Sequence, residues 1–396
     1  MKRSDRRILT THAGSLPRPA ELLAPLHARD NARPYDKAAL EDRVRRSVAE
    51  VVRRQVACGI DVIGDGEHSK SSFAAYGRAR IGGLEETGET TEIRGGTRDS
   101  LAFPEVYAEA RAMNAAKPSA KGAPPRGHRP QTFCTGPVRY TGEAELKADI
   151  ANLKAALAGA AFEEAFVTAI APTNLELYHP NRYYRTDEEY LAALADAMNV
   201  EYRAIVEAGF VLQIDDPRLA THYNRTPGIS IAECRDFIAL RVEAVNWSLR
   251  GIPADRVRFH TCYSVNVAPR VHDLELKHYI DLMLRIRAQA FSFEAANPRH
   301  EHEWQVWQEV KLPDDAILIP GVVSHCTHLV EHPELVAQHI ARYASIVGRE
   351  RVIAGTDCGF ATAAAGDEVH PDVAWAKLEA MVEGARIASR ALSGRA

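Results

Sequence analysis

At 396 residues the chain has room for one large domain or two ordinary ones. Its apolar fraction of 46% and charged fraction of 26% are typical of a globular protein. The formal net charge of −4 gives no reason to expect binding to nucleic acid or to an anionic membrane surface.

The sequence carries no recognisable targeting or membrane-spanning segment. The start, Met1–Arg7, is basic, but no apolar stretch of the kind found in a secretory signal follows it. No apolar run is long enough to cross a bilayer. Six cysteines are scattered without paired spacing, at positions 58, 134, 234, 262, 326 and 358. This usage fits a reducing cytoplasm, where we expect the protein to reside. Nothing in the sequence specifies an oligomeric state.

The first part of the chain predicts a strand, a helix and a second strand. Residues 8–15 form the first predicted strand, and a loop rich in glycine and proline follows it. Apolar residues recur at helical spacing from Ala38 to Cys58, and Gly59 stands where a C-terminal cap is expected. Residues 60–67 then predict a strand and a turn.

Residues 77–130 do not continue the alternation of strands and helices. Glycine, threonine, glutamate, arginine and proline dominate, and helical spacing remains only from Pro104 to Ala115. We interpret residues 77–160 as an insertion of loop and hairpin, which ends in a strand at 131–134 and a helix at 143–158. A surface excursion and a substrate-facing arm are equally compatible with this composition.

From residue 165 onward, strands and helices alternate. Strands are predicted at 165–171, 209–216, 256–262, 290–294, 317–322 and 352–357. Helices are predicted at 187–208, 229–250, 274–288, 332–347 and 372–391, the first with Thr186 as N-cap and Glu189 as its capping-box acid. With the two early strands, this order predicts an α/β fold, a single (β/α)8 TIM barrel. The competing architecture is an open doubly wound sheet, against which the absence of a Gly-x-Gly-x-x-Gly motif counts.

Three of the predicted strands end in residues of the types that serve as zinc ligands. His260 and Cys262 are two apart, so a strand presents both side chains on one face. Glu294 ends the next predicted strand, and Cys358 follows the last one. Zinc takes histidine, cysteine and carboxylate ligands, and catalytic sites keep one exchangeable position. In a (β/α)8 barrel the active site lies at the C-terminal ends of the strands. The alternative is that these cysteines are buried as small apolar side chains.

Five segments in this order resemble the C-terminal catalytic barrel of the cobalamin-independent methionine synthase family. They are residues 11–19, 59–67, 212–217, 260–262 and 355–359. The resemblance covers nearly the whole chain, which we treat as one zinc-dependent barrel domain of residues 1–396. Short relatives of this barrel include epoxyalkane:coenzyme M transferases, so the resemblance is specific for the superfamily and less so for the substrate.

The resemblance implies roles for individual residues. It implies that Zn²⁺ is bound by His260, Cys262, Glu294 and Cys358, and that a thiol substrate displaces one weak ligand. Zinc then holds the sulfur as a thiolate, which is the nucleophile for alkyl transfer. For the amino-acid end of homocysteine it implies binding by Gly14, Ser15, Glu67 and Asp215. The alternatives are an exposed loop acid for Glu67 and a helix cap or salt bridge for Asp215.

Three departures from the family pattern concern the methyl donor. Full synthases carry a second, N-terminal barrel with no counterpart in this sequence. The folate-stacking tryptophan expected after the third barrel strand is missing from residues 169–176. The Asp-x-His of barrel strand seven is replaced by residues 324–328, where His325 or His328 could serve as the catalytic acid. The other interpretation is a histidine-rich loop. The run 299–303 resembles a metal motif, but we interpret it as an exposed helix start.

The sequence therefore predicts a cytoplasmic zinc enzyme that transfers a methyl group from an undetermined donor to homocysteine. A second hypothesis is the opening of an epoxide by coenzyme M, whose sulfonate would need a cation such as Arg18 or Arg182. A third is a binding protein that contains structural zinc.

Overall fold

The computed structural model describes residues 1–30, 33–90, 96–116, 130–263, 268–361 and 369–393. Within them lie ten strands, eight of which form one parallel sheet and two an antiparallel hairpin. The strands are β1 Leu9–Thr10, β2 Val62–Ile63, β3 Ile81–Thr90, β4 Pro130–Tyr140, β5 Glu164–Ile170, β6 Val211–Asp215, β7 Val257–Thr261, β8 Ala290–Phe293, β9 Ile317–Val323 and β10 Ile353–Thr356.

The parallel sheet closes into a barrel. Its strand order is β1-β10-β9-β8-β7-β6-β5-β2, and a parallel bridge between Thr11 and Val62 joins the two ends. Each strand pairs with its neighbours in chain order once the hairpin β3-β4 is set aside. The predicted (β/α)8 barrel with an inserted hairpin is therefore confirmed. That residues 1–396 form one domain, with an insertion at about 77–160, stays a prediction.

Helices surround the barrel, and their ends follow local sequence signals. They are α1 Ala20–Asp30, α2 Lys37–Cys58, α3 Phe73–Ala79, α4 Arg98–Ala102, α5 Pro104–Ala116, α6 Glu143–Leu157, α7 Pro172–Tyr178, α8 Asp187–Glu207, α9 Pro217–Arg225, α10 Ile231–Ser248, α11 Ile280–Met283, α12 Val306–Glu309, α13 Pro333–Val347 and α14 Pro371–Ser393. Asp36 caps the start of α2, and Gly59 ends it with a φ of 91°, a left-handed conformation that glycine adopts without strain. Crossing a membrane requires a length and apolar character that none of the described helices combines.

The inserted hairpin packs against the outside of the barrel. Strands β3 and β4 pair antiparallel, and the buried Arg80 donates a hydrogen bond of 2.6 Å to Glu201 on α8. The helical period predicted from Pro104 to Ala115 is confirmed as α5. Residues 91–95 and 117–129 of the predicted insertion lie outside the described residues.

Three local predictions need correction. The helix predicted at 274–288 is a 3-10 turn, Leu276–His278, followed by the four-residue α11. Two short helices that periodicity did not reveal, α7 and α9, follow β5 and β6 directly, and each begins with a proline at its first position. At α8 the side chain of Thr186 accepts the predicted cap bond, but Glu189 accepts from the backbone of Arg185 rather than closing a capping box.

The barrel interior holds a buried arginine below the ends of the strands. Arg258 on β7 donates to Gln213 at 2.6 Å, to the Thr11 hydroxyl at 2.9 Å and to the His12 carbonyl at 2.8 Å. Its guanidinium lies 3.4 Å from the centre of the Phe166 ring. These contacts connect β5, β6 and β7 with the segment that follows β1. Arg258 therefore holds these strands together directly beneath the site at their ends.

Candidate functional site

A cluster of one histidine and two cysteines lies at the C-terminal end of the barrel. One possible ligand atom from each of His260, Cys262 and Cys358 lies within 4.8 Å of those of the other two. His260 is on β7, Cys262 follows that strand, and Cys358 follows β10. All three side chains are buried. The structure thus brings together three of the four residues for which the sequence predicted zinc binding.

The orientation of His260 suits a metal ligand. The register of β7 with β8 places His260 opposite Ser292, and the Nδ1 atom lies 3.0 Å from the Ser292 hydroxyl. Within the described part of the chain, the buried Nε2 atom has no hydrogen-bond partner. A buried polar atom without a partner is costly, and metal-binding histidines use their second nitrogen for a bond of the Ser292 kind. The chemistry of this nitrogen and the two sulfurs fits Zn²⁺.

The two cysteine sulfurs are in hydrogen-bonding contact, which changes the pKa of both thiols. Their Sγ atoms are 3.3 Å apart, and the Cys358 thiol donates to Cys262. This hydrogen bond holds the pKa of Cys262 well below its usual range, and the charge of the neighbouring His260 acts in the same direction. The same hydrogen bond and burial raise the pKa of Cys358. The contact therefore favours a thiolate on Cys262 beside a thiol on Cys358, and thiolate is the form that binds metals.

Glu294, the fourth predicted ligand, lies in a neighbouring cluster, and its charge raises the pKa of both Cys262 and Cys358. It follows β8 and lies beside His325 and Asp357, and one possible ligand atom of each of the three is within 4.8 Å of those of the other two. Its carboxylate is engaged by Arg270 through two hydrogen bonds of 3.0 and 3.1 Å. Glu294 does not line the pocket beside the cysteines.

His325, the predicted catalytic residue, is fully buried behind the site. Its Nε2 atom lies 3.3 Å from the sulfur of Cys326. Burial opposes its charge, but the Cys326 contact and the charge of Glu294 raise the pKa of His325 to about 9. It is not among the described residues that line the pocket.

A pocket lies next to the histidine and the cysteines. Ser15, Glu67 and Asp215 line it together with His260, Cys262 and Cys358. Six of the residues singled out from sequence therefore share one pocket, although they come from widely separated parts of the chain. Its remaining described lining is Ala13, Phe73, Pro217 and Gly359.

Gly14 allows the first loop to approach Glu67. Its φ is +132°, and a Cβ atom at this position would lie 2.7 Å from a Thr168 methyl and 3.2 Å from the Glu67 carboxylate. The carboxylate of Glu67 accepts a bond of 2.7 Å from Thr168, and Arg18 and Lys70 lie 3.7 and 4.0 Å from it. Glu67 is thus a fixed, buried acid rather than an exposed loop residue.

Asp215 lies at the end of β6, directly opposite His260 in the strand register. Gln213 donates to it at 2.6 Å. Burial raises the pKa of Asp215 to about 7, and the charge of His260 opposes that rise. A cationic ligand placed beside it would favour the ionised form.

Sequence reasoning missed the residues that support these acids. Lys70 is buried and donates to the Thr168 carbonyl at 2.9 Å and to its hydroxyl at 2.7 Å. Gln213 donates to the backbone of Ala13 as well as to Asp215. The alternation of side chains along a strand could have revealed Thr168 and Gln213. Thr168 lies two residues before the end of β5 and Gln213 two residues before Asp215, so both side chains face the barrel interior.

The chain matches known proteins along most of its length. A family model described as "Cobalamin-independent synthase, Catalytic domain" matches residues 8–169 and 180–386. A methionine synthase of Thermococcus kodakarensis is 25% identical over 387 residues, which cover 97% of this chain and 94% of that protein. A methionine synthase of Saccharolobus solfataricus is 27% identical over 224 residues, 56% of this chain and 57% of that protein.

The fold is also similar to that of a solved structure. A B12-independent methionine synthase from Shewanella sp. W3-18-1, in complex with selenomethionine, superposes with a TM-score of 0.73. The superposition covers 98% of this chain and 99% of that one, at 17% sequence identity. At this identity the likeness establishes the shared barrel fold.

Proposed function

The chain belongs to the cobalamin-independent synthase catalytic-domain family and is a methionine synthase-like transferase; from this premise we propose zinc-dependent alkyl transfer to a small thiol. The transfer of a methyl group to homocysteine, giving methionine, is the reaction we favour. The observation that carries the proposal is the pocket that joins His260, Cys262 and Cys358 to Glu67 and Asp215.

In the proposed reaction, Zn²⁺ would activate the thiol, and the protein would hold the ion and align the reactants. A bound Zn²⁺ would supply the charge that lets a thiol release its proton to solvent at neutral pH. The sulfur lone pair would form a bond to the donor carbon while the bond to the leaving group breaks and its electron pair departs with that group. His260, Cys262 and Cys358 would hold the ion, and the pocket walls would align sulfur and carbon.

Two acids in the pocket favour an amino-acid thiol. Glu67 and Asp215 would accept the α-ammonium group, and Gly14 and Ser15 would supply contacts from the first loop. Among the described pocket-lining residues there is no arginine or lysine to match a sulfonate. Arg18 donates to the carbonyls of Glu67 and Ala361, and Arg182 lies over the Phe133 ring of the hairpin. These positions count against coenzyme M as the thiol.

The cellular location and the role of zinc also belong to this proposal. All six cysteines are free thiols, which supports the prediction of a reducing cytoplasm. A structural zinc would need a closed set of four protein ligands. The three converging ligands support a catalytic ion instead.

The test is zinc content and thiol alkylation in wild-type and variant proteins. We expect about one zinc per chain in the wild type and loss of most of it in Cys262→Ser and Cys358→Ser. With an activated methyl donor, homocysteine should be alkylated well in preference to 2-mercaptoethanesulfonate, and Glu67→Gln and Asp215→Asn should weaken homocysteine binding. Cys234→Ser, a buried cysteine outside the site, is the control. Full zinc in both cysteine variants, or equal use of the two thiols, would refute the assignment.

A further inference from the structure

His300 shows how charged side chains near the mouth of the barrel are paired. Its two ring nitrogens lie 3.2 Å from Asp273 and 3.0 Å from Glu303. His300 and Glu303 are buried, so the sequence interpretation of the run 299–303 as an exposed helix start is wrong for these two residues. The charges of this network match one another, whereas those of two arginines on α9 do not.

Helix α9 presents these two arginines beside the candidate pocket. The helix follows β6, and Pro217 at its first position lines the pocket. Arg218 and Arg225 are seven residues apart, a spacing that puts both side chains on the same face of a helix. Partial shielding from water lowers the pKa of Arg225, and the charge of Arg218 lowers it further. The two guanidinium groups are therefore close enough to repel each other.

Neither charge is neutralised by the part of the chain that the structure describes. No described carboxylate forms an ion pair with Arg218 or Arg225, and the buried Nε atom of Arg218 has no hydrogen-bond partner there. A buried donor without a partner is costly, and the repulsion between two like charges adds to that cost. An oxyanion bound between the two side chains would satisfy the donor and offset the repulsion, because guanidinium groups match the geometry of carboxylate and phosphate.

Two aromatic rings connect these arginines to the pocket. The guanidinium of Arg218 lies 4.7 Å from the centre of the Tyr178 ring. The Tyr178 ring packs edge-on against Phe73, with 6.4 Å between the ring centres, and Phe73 lines the pocket. Neither arginine is itself among the described lining of the pocket. A ligand that reaches the arginines from the reacting sulfur must therefore extend past Phe73 and Tyr178.

The inserted segment lies against the same helix. The side chain of Asn224 on α9 donates to Asp99 of α4 at 3.2 Å and accepts from the Asp99 backbone at 3.2 Å. Tyr107 on α5 lies close enough to Arg225 to oppose the fall in the pKa of that arginine. Helices α4 and α5 thus stand beside the two arginines, which favours a substrate-facing arm over a surface excursion as the role of the insertion.

We propose that Arg218 and Arg225 bind an anionic group of the alkyl donor, a carboxylate or a phosphate, while the reactive carbon of that donor faces the thiol in the pocket. The inference rests on the proposed function and extends it to the donor. Its consequence is that the donor carries an oxyanion remote from its reactive carbon. A small uncharged epoxide would make no use of this site.

Titration calorimetry of the zinc-loaded protein with inorganic phosphate and with glutarate tests the anion site. The wild type should bind at least one of the two, and the tighter one shows whether a phosphate or a carboxylate is preferred. Arg218→Gln and Arg225→Gln should each weaken that binding by about tenfold, because each removes charge-assisted hydrogen bonds. Arg235→Gln is the matched control, since this arginine of α10 is already paired with Asp281 at 2.8 Å. Absence of binding of both anions, or unchanged binding in the α9 variants, would overturn the inference. Arg225 is exposed, so its variant remains informative if Arg218→Gln does not fold.

Steady-state kinetics with two sulfonium donors test whether the anion belongs to the donor. S-adenosylmethionine carries a carboxylate, and trimethylsulfonium carries no anion. In Arg225→Gln the KM for S-adenosylmethionine should rise by about tenfold, while the KM values for trimethylsulfonium and for homocysteine stay within about twofold of the wild type. An equal change for the two donors, or a rise confined to homocysteine, would contradict a donor site. A wild type that binds the anion but alkylates no thiol would refute the proposed function instead, and the anion site would remain.

Discussion

Asp215 illustrates how burial gives a single residue a pH-dependent energetic cost. Its pKa of about 7 in the folded protein lies above the ordinary value of 3.8. The folded state therefore keeps a proton that the unfolded chain releases, and stability falls as the pH rises from about 4 to 7. Above that range the full cost is present, because the carboxylate is then ionised in both states.

The prediction for this residue is that Asp215→Asn stabilises the metal-free protein at pH 8. One pKa unit corresponds to about 1.4 kcal/mol, so the advantage of the variant should grow by about 2–3 kcal/mol between pH 5 and pH 8. Urea denaturation of both proteins with a chelator present measures this difference. Parallel stability curves for wild type and variant across this pH range would contradict the raised pKa.

At the scale of elements, one buried ion pair attaches the inserted hairpin to the barrel. Arg80 precedes β3 and contacts Glu201 on α8, with 4% and 2% of the two side chains exposed. The guanidinium also lies 3.7 Å from the centre of the Tyr76 ring. Removing one partner of such a pair leaves an uncompensated buried charge.

We therefore expect Glu201→Gln to destabilise the protein by about 3–5 kcal/mol. The matched control is Glu207→Gln on the same helix, where the exposed pair with Arg203 should contribute less than about 1 kcal/mol. Thermal and urea denaturation at pH 7 compare the two variants. Equal stability of the two would show that the hairpin does not depend on this contact.

At the scale of the whole molecule, the described lining of the pocket lacks the tryptophan and the histidine that the family pattern uses for a folate donor. None of the four tryptophans, at 247, 304, 307 and 375, lines it. Where the family has its stacking tryptophan, this chain begins α7 with buried residues. His325 is buried away from the pocket.

A folate methyl leaves only when its nitrogen is protonated, which requires a positioned acid. We therefore expect alkylation of homocysteine by an activated donor, such as methylcobalamin or a sulfonium, and much slower turnover with methyltetrahydrofolate. Steady-state assays of the zinc-loaded protein with each donor measure the ratio. Turnover with methyltetrahydrofolate at or above the rate with activated donors would show that another residue supplies the acid and the stacking surface.

The sequence by itself determined the alternation of strands and helices, the barrel, and the strand ends at which ligand-type side chains occur. Periodicity and caps are local properties, so they survive without knowledge of distant contacts, as at Gly59 and Thr186. The tertiary structure decided which of those side chains meet. Glu294 and Cys358 both follow strands; Cys358 meets His260 and Cys262, whereas the carboxylate of Glu294 contacts Arg270 and Asn297 beside them. The pKa of Asp215 and the burial of His325 were likewise inaccessible from sequence, because desolvation depends on how segments far apart in the chain pack together.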